Sequence, residues 1–193
     1  MRRELHVRFW EGAGVRFLRA TRLVILCRGT AGPALAVTRR WMTNLKLTVN
    51  EQKTCLRDAR QETFDFLGYT FGPMVHRPTG HTYLAARPSR KAMARLRARV
   101  RTILTPGNMA PWPDVAQQVN RVVSGWQRYF SYGTVSRVYW GLDAFLLHRA
   151  RRFLARRHKL PRRGTQRFTA EKIFGEYGLL SLAAAHRAAR PHA

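Results

Sequence analysis

Apolar residues fall in short runs over the first 86 positions and at three- to four-residue spacing thereafter, and this change of period predicts two parts. Val15-Arg16-Phe17-Leu18 and Leu23-Val24-Ile25-Leu26-Cys27 read as short β-strands, with a turn over Arg19-Ala20-Thr21-Arg22. Gly29 and the Gly32-Pro33 pair end the second run. Leu35, Trp41, Met42 and Leu45 then give residues 33–46 an imperfect helical stripe. Strand and turn return between Leu47 and Tyr69, through Val49, Cys55, Leu56, Phe64, Phe66 and Leu67. Gly72-Pro73 and Pro78-Thr79-Gly80 predict a hairpin with one strand near 63–71 and its return near 81–86.

From Pro88 the pattern is helical. Ser89 is the expected N-cap of a first helix, with Met93, Leu96, Val100 and Ile103 on one face. Residues 105–113 hold three prolines and a glycine and must interrupt it. Asp114 is placed to cap a second helix, striped by Val115, Val119, Val122, Trp126 and Tyr129. A break at Gly133-Thr134 leads to a third helix over residues 135–158, with Val138, Leu142, Phe145, Leu146, Phe153 and Leu154 as its apolar side. A basic linker follows, then an apolar ending at 168–182, and residues 183–193 read as a disordered tail. The fold class expected is α+β: short strands and a hairpin over 1–86, then a mainly α-helical three-helix bundle over 87–182.

The charge changes this picture from fold to partner. Thirty-six Lys plus Arg stand against 10 Asp plus Glu, a net charge of +26. Such a surplus opposes compaction, so its usual physical reason is a polyanionic partner. Residues 1–86 hold 14 basic and 6 acidic residues, and residues 87–193 hold 22 and 4, so the binding surface is expected in the second half. A membrane is the weaker candidate, because the run 23–27 is far short of the roughly 20 apolar residues a span needs. The start has no continuous apolar segment of the kind that export requires, which makes a cytoplasmic location the expectation. Cys27 and Cys55 fit no metal-binding spacing and read as reduced structural residues; no metal and no cofactor are expected.

Several stretches, in order, resemble the C-terminal half of group II intron reverse transcriptases, or maturases. Leu18-Arg19-Ala20-Thr21-Arg22-Leu23-Val24-Ile25-Leu26-Cys27 is similar to the palm motif R-Y-A-D-D-F-V-I-L-C, and residues 45–54 to G-L-x-L-N-x-x-K-T. Phe64-Asp65-Phe66-Leu67-Gly68-Tyr69-Thr70-Phe71 resembles the hairpin that grips the primer end. Arg87-Pro88-Ser89, Asn120, Gly125-Trp126-Gln127-Arg128-Tyr129, Leu142-Asp143 and Tyr177-Gly178-Leu179-Leu180-Ser181-Leu182 follow the maturase-specific, or thumb, domain. The resemblance covers roughly residues 15–182, and it implies that fingers and most of the palm belong upstream. It departs from the family where chemistry is concerned: Thr21 and Arg22 occupy the positions of the Asp-Asp pair. Two Mg²⁺ ions need converging carboxylates, and Arg22 supplies the opposite charge. No catalytic residue is therefore expected.

The candidate RNA contacts are Arg90, Lys91, Arg95, Arg97 and Arg101 on the first helix; Gln127 and Arg128 on the second; and Arg149, Arg152, Arg156, Arg157 and Lys159 on the third, extended by Arg162 and Arg163. A run of six basic residues within 90–101 has no acidic neighbour to offset its repulsion. Cations at the end of the third helix complement its dipole, but there are more of them than a dipole needs. Trp126, Tyr129, Phe130 and Tyr132 could stack on bases, while the helical spacing puts Trp126 and Tyr129 in the core; Gly125 would then permit close helix approach. The resemblance implies an RNA-binding maturase-type fragment that assists folding and splicing of structured, group II intron RNA, with DNA at a target site and a separate polymerase-domain chain as further candidate partners. The alternatives are a reverse transcriptase part that needs a separate fingers and palm chain, or a decayed gene fragment.

Overall fold

A computed structural model of the chain describes residues 5–11, 22–28, 30–76, 78–160 and 164–189. The fold is α+β. The chain divides into two compact units, residues 1–66 with 70–85, and residues 67–69 with 86–193.

In the first unit, β1 (Leu5–Glu11) is the middle strand of an antiparallel sheet, between β2 (Arg22–Arg28) and β3 (Cys55–Asp58). Leu5 lies opposite Arg28, Glu11 opposite Arg22, and Phe9 opposite Cys55. The strand expected at 15–18 and the turn to Thr21 lie outside the described residues, and β1 was not anticipated, although its Leu5, Val7 and Phe9 alternate as a strand should. Helix α1 (Ala31–Asn44) lies against β2. It buries only Ala31; Trp41 and Leu45, expected on its packed stripe, are 65% and 66% exposed. After it, the side chain of Asn50 accepts from Lys53 N at 3.2 Å and its carbonyl from Thr54 Oγ1 at 2.8 Å, so Asn50, Lys53 and Thr54 of the family-like stretch form a local turn. Arg39 grips Glu51 of this turn through two hydrogen bonds.

A second sheet has the order β4 (Phe64–Phe66), β5 (Tyr69–Val75), β6 (Thr82–Pro88). The single strand expected at 63–71 is thus two strands, parted at Leu67 and Gly68. Both have positive φ, 47° and 81°, the backbone of a two-residue hairpin turn. Gly72-Pro73 does not end a strand but sits inside β5. Because β4 is three residues long, β5 has an open side there, where a proline costs no ladder bond. The small core under these strands holds Ala59 and Phe64, with Val24, Phe66 and Phe71; the Phe64 and Phe71 rings stack with centroids 5.3 Å apart.

The second unit contains α2 (Arg90–Ile103), α3 (Trp112–Tyr129), α4 (Ser136–Arg157), and two short helices, α5 (Ala170–Phe174) and α6 (Leu182–Ala188). Ser89 caps α2 as expected, its Oγ accepting from Ala92 N at 3.1 Å. Helix α3 starts two residues before Asp114, behind Pro111 and with Pro113 in its first turn, where a proline has no hydrogen bond to lose. Val100, Val115, Val119, Val123, Tyr139, Leu142, Leu146 and Leu154 are fully buried, and Phe168, Ile173, Leu179 and Leu182 join them from the ending.

That ending corrects the expected tail: the chain is helical from Leu182 to Ala188 and lies outside the described residues only from 190. The reason is Asp143, buried on α4. Its carboxylate accepts from Ser181 Oγ at 2.7 Å, Leu182 N at 2.8 Å and Ala183 N at 3.0 Å, so it caps α6 from outside. Asn120 of α3 does similar work one step earlier, donating to Gly178 O at 2.7 Å and accepting from Leu180 N at 2.8 Å. The Asn120, Asp143 and Tyr177–Leu182 markers of the family resemblance are therefore one interlocked structural device.

Candidate nucleic-acid interface

The candidate contact residues of the second unit fall into three groups, on α2, on α3 and at the end of α4. On α2, Arg90, Lys91, Arg95 and Arg101 are exposed, whereas Arg97 is half-buried. Arg97 and Arg101 both lie over the Phe145 ring, their guanidinium carbons 5.7 and 5.4 Å from its centroid. Arg97 Nε is buried with no hydrogen-bond partner among the described residues.

On α3, Arg128 is exposed in the last turn. Gln127 is not the open contact that was expected. It is half-buried and its Nε2 donates to Leu182 O at 3.3 Å, which spends the amide on anchoring α6. The aromatic residues split differently from the expectation as well. Phe130 is buried and Trp126 half-buried against the core, but Tyr129 and Tyr132 are 56% and 73% exposed. Tyr129 lies outside the core because its hydroxyl donates to Leu67 O at 2.9 Å, at the hairpin turn. The same turn explains Gly68: a Cβ there would meet the Phe130 ring at 3.0 Å. Gly125 has no comparable role, since a Cβ on it would meet nothing within 4 Å.

The densest group is at the C-terminal end of α4. Arg149, Arg152, Arg156, Arg157 and Lys159 line a groove of about 230 Å³, with Leu104, Pro106, Met109 and Phe153 completing its wall. The spacing of Arg149, Arg152 and Arg156 puts them on one helical face. The α2–α3 linker supplies the opposite side. No carboxylate lines the groove. Arg149 Nη2 reaches Leu104 O at 3.4 Å, while its Nε is buried without a partner among the described residues. Burial, and then the charges of Arg101, Arg152 and Arg156, hold the Arg149 guanidinium below its ordinary pKa. Arg157 lies over Phe153 at 5.5 Å and donates to Met109 O at 2.8 Å, which fixes the linker against α4. Arg151 is turned away on structural duty, its Nε donating to Phe168 O at 2.6 Å. Arg162 and Arg163 lie outside the described residues.

The helix dipoles do not account for this group. The C-terminal ends of α2 and α4 present about half a negative charge each. The groove holds five cations against them. Among the described residues, the side-chain ion pairs Arg39–Glu51 and Arg57–Glu62 both lie in the first unit. The groove is thus a concentrated, uncompensated positive field with fixed guanidinium donors, suited to phosphate oxygens.

At the sequence positions of the polymerase motif, Arg22 opens β2 opposite Glu11, and Thr21 lies outside the described residues. Among the described residues no cluster of His, Cys, Asp and Glu has the geometry of a metal site, and no helix is long and apolar enough to cross a membrane. Pro106 and Met109 were missed from sequence, where the α2–α3 linker signalled only a helix break.

A comparison with curated proteins found no match. The family model described as "Group II intron, maturase-specific domain" matches residues 93–170, a stretch that runs from the first turn of α2 to the start of α5 and contains the whole groove. Over residues 93–170 the helical unit of this chain is therefore similar to the group II intron maturase-specific domain.

Proposed function

We propose that this chain is an RNA-binding maturase-type protein that grips structured intron RNA on the basic face of its helical unit, assists its folding for splicing, and has no polymerase activity of its own. The observation that carries the reading is the convergence of five cations on one acid-free groove inside the stretch similar to the maturase-specific domain. Phosphate contacts of this kind fix position and orientation without reading sequence, and A-form RNA is recognised mainly by shape and backbone. The exposed Arg90, Lys91, Arg95 and Arg101 of α2, with Arg128 of α3, extend the phosphate-binding surface. The absence of polymerase activity is supported by charge: the position that should offer a metal-binding carboxylate offers Arg22, in a segment with Arg16, Arg19 and Arg28.

Salt titration of RNA binding tests the reading. Each phosphate neutralised on a single strand contributes about −0.7 to the slope of log affinity against log salt. Arg152→Ala combined with Arg156→Ala should flatten that slope by about 1.4 and leave the fold intact, since both residues are exposed and neither ties the linker to α4 as Arg157 does. A wild-type slope near zero would overturn the proposal. Primer extension on an RNA template with Mg²⁺ or Mn²⁺ tests the second part, with no extension expected.

A further inference from the structure

The groove at the end of α4 has a second chemical character that phosphate binding leaves unused. Its cations come from α4 and from Lys159 just beyond it, and its apolar lining from Phe153 of α4 and from Leu104, Pro106 and Met109 of the segment between α2 and α3, with Pro106 and Met109 exposed. Met109 is 79% exposed, the most exposed large apolar side chain among the described residues. It is nevertheless held in place. Asn108 Nδ2 donates to Ile103 O at 2.9 Å and Asn108 Oδ1 accepts from Ala110 N at 3.1 Å, while Arg157 binds the Met109 carbonyl at 2.8 Å. An apolar side chain kept in water on an anchored backbone, next to a cluster of guanidinium groups, is a surface prepared for a ligand with an anionic end and an apolar face.

A nucleotide is such a ligand. We propose that this groove takes one unstacked nucleotide of the bound RNA, its phosphate on Arg149, Arg152 and Arg156 and its base against Met109 and Pro106. At about 230 Å³ the groove is too small for a paired helix, and a single nucleotide would fill it with part of its sugar outside. Arg149 Nε is buried beside the groove with no partner among the described residues, which leaves a donor at its edge. A paired nucleotide turns its base inward to its partner, whereas a bulged or flipped one offers its base to side chains. The groove would therefore select RNA with an extrahelical nucleotide, a preference that phosphate contacts alone cannot produce. This rests on the RNA-binding reading above and adds to it a specific subsite.

The test compares binding of the full chain to three labelled RNA hairpins by fluorescence anisotropy: fully paired, with a one-nucleotide bulge, and with an abasic bulge. The bulged hairpin should bind about fivefold more tightly than the paired one, and the abasic bulge, which keeps the bend and the phosphate, should lose that gain. Met109→Ser should reduce the ratio of bulged to paired affinity below about twofold with the melting temperature unchanged, since Met109 packs in no core. Equal affinity for all three hairpins overturns the subsite and leaves RNA binding standing. Retention of the preference in Met109→Ser or with the abasic bulge overturns it too. Binding of none of the three overturns both readings together. Adenosine 5′-monophosphate, titrated alone, separates the two sources of a nucleotide: affinity matching that of the bulged hairpin would make the groove a free-nucleotide site and refute the proposal.

Discussion

Replacing Arg149 with methionine should make the protein more stable and a poorer RNA binder at once. Methionine keeps most of the aliphatic volume and removes the guanidinium. What stability loses is one long hydrogen bond to Leu104 O, 3.4 Å, worth about 0.5 kcal/mol. What it gains is release from a buried donor with no partner, a cost of about 1–3 kcal/mol when fully desolvated and less at this half-buried site. Release from the repulsion of Arg101, Arg152 and Arg156 adds to the gain. The net expectation is about 1 kcal/mol of stabilisation, equivalent to a rise of about 4–8 °C in melting temperature for a unit of this size. RNA binding loses one charge-assisted contact, so affinity should fall about tenfold or more. Differential scanning calorimetry and anisotropy with a labelled RNA measure the two quantities on one preparation. A lower melting temperature with unchanged RNA affinity would mean that Arg149 is a structural tie, and the account of the groove would fail.

Two further substitutions probe the helical unit. Asp143→Ala removes the acceptor of Leu182 N, Ala183 N and Ser181 Oγ and should cost about 3–5 kcal/mol in urea denaturation, with amide hydrogen exchange rising first across α6; unchanged exchange there would show that α6 docks without its cap. Gly133→Ala would bring a Cβ to 2.2 Å from Ala86 O at a φ of +81° and should cost about 2–4 kcal/mol, measured by the same denaturation; a neutral result would mean that the Gly133 backbone can leave the left-handed region.

The parts of the fold that were legible in the sequence are those where one local rule decides. Helices α2, α3 and α4 follow from apolar spacing, because each must bury one face. The Ser89 cap follows from a hydroxyl beside the first helical turn. Where a local rule met a tertiary demand, the reading failed. Tyr129 shares the apolar period of α3, yet its hydroxyl is drawn to Leu67 O, 62 residues away in sequence. Gln127 looked like a free polar side chain until α6 packed beside it. The split of the hairpin strand at Leu67 was hidden because a positive φ is uncommon for leucine and no propensity signals it. Residues 183–188 looked like a frayed end because their composition is poor in large apolar groups; Asp143, some 40 residues earlier, is what orders them.

The sequence by itself determined the sign and location of the charge, the helical faces, and the family motifs, since each of these is a property of composition or of spacing within a turn or two. That Arg149, Arg152 and Arg156 share a face is such a property, read from intervals of three and four residues. What faces them was decided by tertiary structure alone. Leu104, Pro106 and Met109 reach the same groove across 40 or more residues because the buried residues of α2, α3 and α4 pack around one core and fold the linker back onto α4. Linear spacing carries no information at that range, since the position is fixed by the packing of side chains elsewhere in the unit. A run of arginines became one part of a groove through that packing.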